Sequence, residues 1–155
     1  MKRASVIVVI LSLLALAPGA AAARTNAAAG RAWRPFFKAF RDAARRRDRE
    51  ALKQLMVPDF FTTGGGVDGE ARDGAFAFWD EPNARGWEAL ERTLAKGTAP
   101  YTYMRDPRDE KPKRVAPPAA NARRSIARGD FGWYAIFEFR EDGRWYCAVF
   151  AQCCD

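Results

Sequence analysis

Residues 131–152, FGWYAIFEFREDGRWYCAVFAQ, carry the pattern that decides the fold. Two runs, Phe131 to Arg140 and Arg144 to Gln152, are dense in aromatic and aliphatic side chains and flank Glu141-Asp142-Gly143. Such side chains fit a pleated, half-buried surface, and Asp-Gly between two of these runs supplies the positive backbone angles of a two-residue hairpin turn. That turn places Phe139 opposite Tyr146, Phe137 opposite Ala148, Ala135 opposite Phe150 and Trp133 opposite Gln152. One face of the expected hairpin is therefore almost wholly apolar. The other carries Tyr134, Ile136, Glu138 and Arg140 beside Trp145, Cys147 and Val149, a half-polar surface with an apolar middle.

An apolar hairpin face needs a cover, and the sequence supplies one upstream. Trp33, Phe36, Phe37, Phe40, Ala43 and Ala44 recur at helical spacing, with Arg34, Lys38, Arg41 and Arg45 on the opposite side. Asp48 can cap a second short helix that carries Ala51, Leu52, Leu55 and Met56 before Pro58. Asp59 to Thr63 then reads as a short strand closed by Gly64-Gly65-Gly66. A helical turn over 74–80 and a helix bearing Trp87, Leu90, Leu94 and Ala95 follow, the latter ending at Gly97. Tyr101 and Tyr103 suggest a further strand. Residues 104–128 are basic and hold Pro107, Pro112, Pro117 and Pro118, so Arg114-Val115-Ala116 is expected to be at most an edge strand in an irregular segment. The fold class is α+β: a curved antiparallel sheet covered on one side by N-terminal helices and ending in a β-hairpin.

Residues 1–23 read as a secretory signal peptide. Lys2 and Arg3 precede an apolar run from Val6 to Ala17, too short to cross a bilayer core of roughly 30 Å, and Ala21-x-Ala23 is a small-residue cleavage pattern. Cleavage is expected after Ala23, with Ala22 the next candidate, which makes the protein exported, periplasmic or secreted. Residues 24–30 are expected to be a flexible leader, and 31–155 a single domain without a transmembrane segment.

Composition removes several chemistries. The 155 residues include no histidine, which excludes Ser-His and Cys-His nucleophile pairs and the commonest ligand for zinc and haem. Asp68, Glu70 and Asp73 do not match a calcium loop, and the three glycines lack the Lys-Ser or Lys-Thr of a phosphate cradle, so no metal and no cofactor is expected. The formal net charge is +7, arranged in blocks: residues 31–53 carry nine basic and three acidic groups, and residues 54–103 carry four and eight. The blocks are expected to neutralise one another in part, with the surplus positive field near the first helix and the 104–128 segment, and export together with Arg45-Arg46-Arg47 read as a solvated helix face means that nucleic acid is not an expected partner. Three cysteines, Cys147, Cys153 and Cys154, leave at least one thiol free or intermolecular. Along one strand Cys147 and Cys153 would stand about 20 Å apart, so a bridge between them requires the tail to fold back. A vicinal Cys153–Cys154 bridge, a pairing across a dimer and reduced thiols remain open.

The stretch FFKAFRDAARRRDREALKQLMVPDFF, residues 36–61, resembles the opening of the nuclear transport factor 2-like, or SnoaL-like, cone-shaped α+β proteins, whose roll is also described as cystatin-like. The matching positions are Asp48, Ala51-Leu52, Leu55 and Pro58-Asp59-Phe60, and FEFREDGRWYCAVF, residues 137–150, is similar to that family's last hairpin. The resemblance implies a cone between sheet and helices that holds a ligand. It also implies that some relatives are cyclases, dehydratases or isomerases built on Asp with Tyr or His, and that others bind or dimerise without catalysis. Asp59, Tyr134 and Tyr146 are the side chains of catalytic type in suitable elements here.

Two functional expectations follow from the rings. In the first, Trp33, Phe37, Phe40, Trp133, Phe137, Phe139, Tyr146 and Phe150 line a cone for a small apolar or aromatic molecule. In the second, Tyr134 and Trp145 anchor a protein partner or a second copy on the half-polar hairpin face, with the basic 104–128 segment at its rim.

Overall fold

A computed structural model of the chain describes residues 18–63, 71–101, 111–121 and 132–152. The elements run α1 (Pro18–Arg46), α2 (Arg49–Gln54), β1 (Met56–Thr62), α3 (Ala71–Asp80), α4 (Gly86–Ala95), β2 (Ala99–Pro100), β3 (Lys113–Ala116), a 3-10 turn (Pro118–Asn121), β4 (Trp133–Phe139) and β5 (Trp145–Gln152). The sheet is mixed and open, in the order β1-β5-β4-β3-β2. Only β1 lies parallel to its neighbour, β5. The expected α+β class and the terminal hairpin are both present. Among the described residues no helix is long and apolar enough to cross a membrane.

α1 begins earlier than its aromatic stripe suggests. Residues 24–30, expected as a flexible leader, are helical, and Ala29 is buried one turn before Trp33. The stripe is thus Ala29, Trp33, Phe36, Phe40, Ala43 and Ala44, and Gly30 lies on the exposed side, where it interrupts no packing. The carbonyl of Ala29 accepts the indole N–H of Trp145 at 2.8 Å, tying this part of α1 to the hairpin. Asp48 caps α2 as expected: its carboxylate accepts the Ala51 backbone N–H at 3.0 Å. Met56, expected at the end of that helix, instead opens β1, because the Leu55 carbonyl is taken by the Cys147 backbone N–H at 2.8 Å.

The hairpin departs from its expected register for a specific reason. Its loop has three residues, Glu141, Asp142 and Gly143, closed by the Arg140 N–H on the Arg144 carbonyl at 2.9 Å and the Gly143 N–H on the Arg140 carbonyl at 3.0 Å. Gly143 takes φ +77°, the left-handed residue that follows a type I turn in three-residue hairpins. The extra loop residue slips the strands by one, so Phe139 pairs with Trp145, Glu138 with Tyr146 and Phe137 with Cys147. Beyond an irregularity between Ile136 and Phe137, β5 contributes one residue more than β4, which is a β-bulge. Ile136–Val149, Ala135–Phe150 and Trp133–Gln152 then stand in the expected pairing. The faces are corrected accordingly. Trp145 and Cys147 belong to the helix-covered side and are buried, and Tyr146 is turned to the other side.

β3, expected as at most an edge strand, is an inner strand: it pairs with β4 over its four residues and with the two-residue β2 on its other side. Of the strand expected at Tyr101 and Tyr103, the described residues show Ala99–Pro100 as strand, with Tyr101 just beyond it. Tyr103, Gly64 to Gly66, Asp68, Glu70, Cys153, Cys154 and residues 1–17 lie outside the described residues, as does much of 104–128.

Candidate functional site

The core is two linked groups of rings. In the first, α1 presents Trp33, Phe36, Phe37 and Phe40 to Phe137 of β4, with centroid separations of 5.4, 5.8, 5.9 and 5.5 Å and steep interplanar angles. Trp145 meets Trp33 at 4.8 Å and Phe139 at 5.6 Å. Rings meeting edge to face gain about 0.5–1.5 kcal/mol per pair beyond their burial. In the second group, Trp79 of α3 touches Phe60, Phe76, Trp87 and Phe150, and Trp133 stacks on Phe150 at 4.9 Å.

The eight rings expected around a ligand are therefore divided. Phe40, Phe137 and Phe150 have no solvent exposure and fill the core with one another and their neighbours. Trp133 and Phe150 belong to the second group. Tyr146 lies on the opposite face of the sheet, where its hydroxyl donates to Asp142 at 2.6 Å. Trp33 and Phe37 alone among the eight reach the cleft described next. Trp145, expected as an interface anchor, is 4 % exposed, because the slipped register turns it under α1. Tyr134 faces away from the helices and packs with Val115, Ala120, Tyr101 and Ile136 in a small second core. Burial there pushes its phenol pKa up.

The cleft beside the first group has a volume of about 350 Å³ and lies open along α1, lined by Trp33, Arg34, Phe37, Lys38, Arg41, Asp42 and Arg45. Its floor is the stacked pair Trp33–Phe37, whose centroids are 5.1 Å apart with planes at 19°. Four of its seven lining residues are cationic and one is a carboxylate. Asp42 is shared by Lys38, at 2.7 Å, and by Arg45. The hydrogen bonds from Lys38 and then Arg45 hold its carboxyl below the ordinary range. A general base needs the opposite shift, so Asp42 is poorly suited to proton abstraction near neutral pH.

A fifth cation comes from the sheet. Arg114 of β3 stands in register with Phe137 and lies with its guanidinium carbon 4.8 Å from the centroid of Trp33. Its Nε donates to the Thr98 hydroxyl at 3.2 Å and its Nη2 to the Thr98 carbonyl at 3.4 Å. Partial burial lowers its pKa. Arg41 repeats the motif more loosely, 5.8 Å from the centroid of Phe37. Sequence reasoning found the ring stripe and the basic face of α1. It missed Arg114, because residues 104–128 were read as irregular and only the β3–β4 pairing fixes which side of the sheet Arg114 faces.

The residues of catalytic type do not gather at this cleft. Asp59 is exposed and meets Arg140 at 3.6 Å, Glu138 binds the same guanidinium, and Tyr146 is engaged by Asp142. Cys147 is fully buried, its thiol pKa pushed far up by desolvation, which leaves it without thiolate reactivity in the folded state. Among the described residues no group of three or more acidic or cysteine side chains could hold a metal ion. Compared with family models, with curated proteins and with solved structures, the chain matches none.

Proposed function

We propose that the chain is an exported binding module, of the nuclear transport factor 2-like kind, that takes a small apolar or aromatic molecule at the Trp33–Phe37 cleft. The observation that carries this is the half-buried Phe37 ring, stacked on the largely buried Trp33 and lining an open cleft of about 350 Å³, beside a core whose other rings are already packed. A ring laid on that pair would extend a stack that already exists, and small-molecule sites commonly combine an aromatic platform with a few polar groups. The order of the elements, two helices and a strand before the sheet that α1 covers, supports the family reading. The export reading rests on residues 1–23 and is checked by the N-terminal mass of protein recovered outside the cytoplasm.

The direct test is a titration with N-phenyl-1-naphthylamine, an uncharged aromatic probe, followed by its own fluorescence and by tryptophan quenching. Saturable binding at one site, lost in Phe37→Asp with the near-ultraviolet circular dichroism of the core preserved, is the expected result. Binding unaffected by that change would remove the cleft from the function.

A second reading is favoured by one observation. Phe61 on β1 is 58 % exposed on the sheet side away from the helices, next to the strand whose Tyr146 and Val149 are half-buried. A protein partner or second copy could dock there, with Phe61 and Tyr134 in place of the buried Trp145. A sedimentation measurement showing a concentration-dependent dimer that Phe61→Ser abolishes would favour it.

A further inference from the structure

We infer that the molecule held at the Trp33–Phe37 cleft is an anion: a small aromatic or apolar body carrying a carboxylate, sulfonate or phosphate group. This deepens the proposed binding function and rests on it. The argument begins with charge balance. Arg34, Lys38, Arg41 and Arg45 line the cleft, Arg114 packs on the Trp33 ring beside it, and among the described residues Asp42 is the only carboxylate in the lining. Asp42 is already committed to Lys38 and Arg45. Among the described residues no carboxylate pairs with Arg34, Arg41 or Arg114.

Arg114 is the most informative of these. It is half-buried and packed on Trp33, and among the described residues it donates hydrogen bonds only to a neutral hydroxyl and a neutral carbonyl of one residue. Taking a charge out of water is costly unless a counter-charge or several strong hydrogen bonds compensate. Two long hydrogen bonds and one ring face compensate partly, and among the described residues three of the five guanidinium N–H groups have no acceptor. An anionic head group would supply the missing partner through charge-assisted bonds in the geometry a guanidinium favours. Its apolar body would then cover Phe37 and the stems of Arg34 and Arg41, which are exposed at the cleft.

A solvated basic helix face is the competing explanation for Arg34, Lys38, Arg41 and Arg45, since charges on such a face stay in water. It does not extend to Arg114. That residue is on a different element, faces the helices rather than solvent, and converges on the same Trp33 ring.

The experiment uses two fluorescent probes of the same shape on the full mature chain: 1-anilinonaphthalene-8-sulfonate, which is an anion, and the uncharged N-phenyl-1-naphthylamine. A charged hydrogen bond contributes enough to make the sulfonate bind at least about ten-fold more tightly than the uncharged probe. Arg34→Gln with Arg41→Gln, both at exposed positions, should weaken the sulfonate about five-fold more than it weakens the uncharged probe, which also loses part of its apolar contact. Arg114→Gln should weaken it further. Arg85→Gln, in the cleft beside Trp79 and Trp87, should change neither. Equal affinities for the two probes, or a sulfonate affinity indifferent to the arginine variants, would overturn the charge assignment while the uncharged-ligand function survived. Failure of both probes to bind would overturn both.

Discussion

Beside Trp33 the cleft is lined by four cations and one carboxylate, with Arg114 packed on the ring, whereas around Trp79 charges of both signs are interspersed. There the cleft is smaller, about 170 Å³, and is lined by Arg47 and Arg85 against Asp80, Glu81 and Glu88. Asp80 accepts the Trp87 indole N–H at 3.0 Å and pairs with Arg49, and Arg85 pairs with Glu88. Both regions are built from stacked and edge-to-face rings of similar size. One pairs Asp80 and Glu88 with arginines of the same chain and the other is predominantly cationic, and an unbalanced border beside an accessible ring is what a site for something outside the chain requires.

The comparison is broken most severely by removing the ring on which the first group converges. Phe137 touches Trp33, Phe36, Phe37 and Phe40 and has no exposure. Phe137→Ala should cost about 3–5 kcal/mol, the range for a buried phenylalanine that leaves a cavity. Chemical denaturation monitored by tryptophan fluorescence measures this, and a loss below about 1 kcal/mol would show that the rings around Phe137 repack without it.

The second group offers a milder break that leaves the proposed site alone. A Cβ on Gly86 would stand 2.5 Å from Cδ1 and 2.8 Å from Cα of Trp79, so α3 and α4 approach too closely for any side chain there. Gly86→Ala should destabilise by about 1–3 kcal/mol, typical of overpacking. Because Trp79 does not reach the Trp33 cleft, binding of the sulfonate probe at temperatures where the variant is folded should match that of the unaltered protein. A variant of unchanged stability would mean that α4 shifts freely, and one with weakened binding would mean that the two ring groups act as a unit.

Much of this arrangement was legible in the sequence because it rests on periodicity. The ring stripe of α1 repeats every three to four residues and the hairpin runs alternate every two, so the elements and most of the core faces could be read directly. The turn was harder. Asp142-Gly143 suits a two-residue loop and equally the last two positions of a three-residue loop, and sequence does not say which. One residue in that choice exchanges Trp145 and Cys147 with Tyr146 across the sheet, which is why an expected interface anchor is a core residue. The bulge on β5 then restores the pairing, so Phe150 was placed correctly despite the slip. Arg114 was illegible for another reason: its role depends on β3 pairing with a strand some twenty residues later, across prolines that carry no periodic pattern.

The finest distinction between the two regions is the single acidic group in the cleft. Asp42 lowers the positive field beneath an incoming anion, and its carboxyl is held below its ordinary pKa by the hydrogen bonds from Lys38 and Arg45. Its charge is present at neutral pH and is lost only as the pH falls through that lowered value. Any stability it adds follows the same course, present above the ordinary aspartate range and lost on acidification below it. Asp42→Asn should therefore leave the fold intact at neutral pH and strengthen sulfonate binding by about two-fold, an effect of exposed charges that fades as salt is raised. In the unaltered protein the same strengthening should emerge only as the pH falls below the ordinary aspartate range, and in the variant that acid-side dependence should disappear. An asparagine variant that bound the sulfonate more weakly would place Asp42 on the ligand's side, as a hydrogen-bond acceptor. The head group would then have to be neutral or a donor, and the contrast between the two ring clusters would lose its functional meaning.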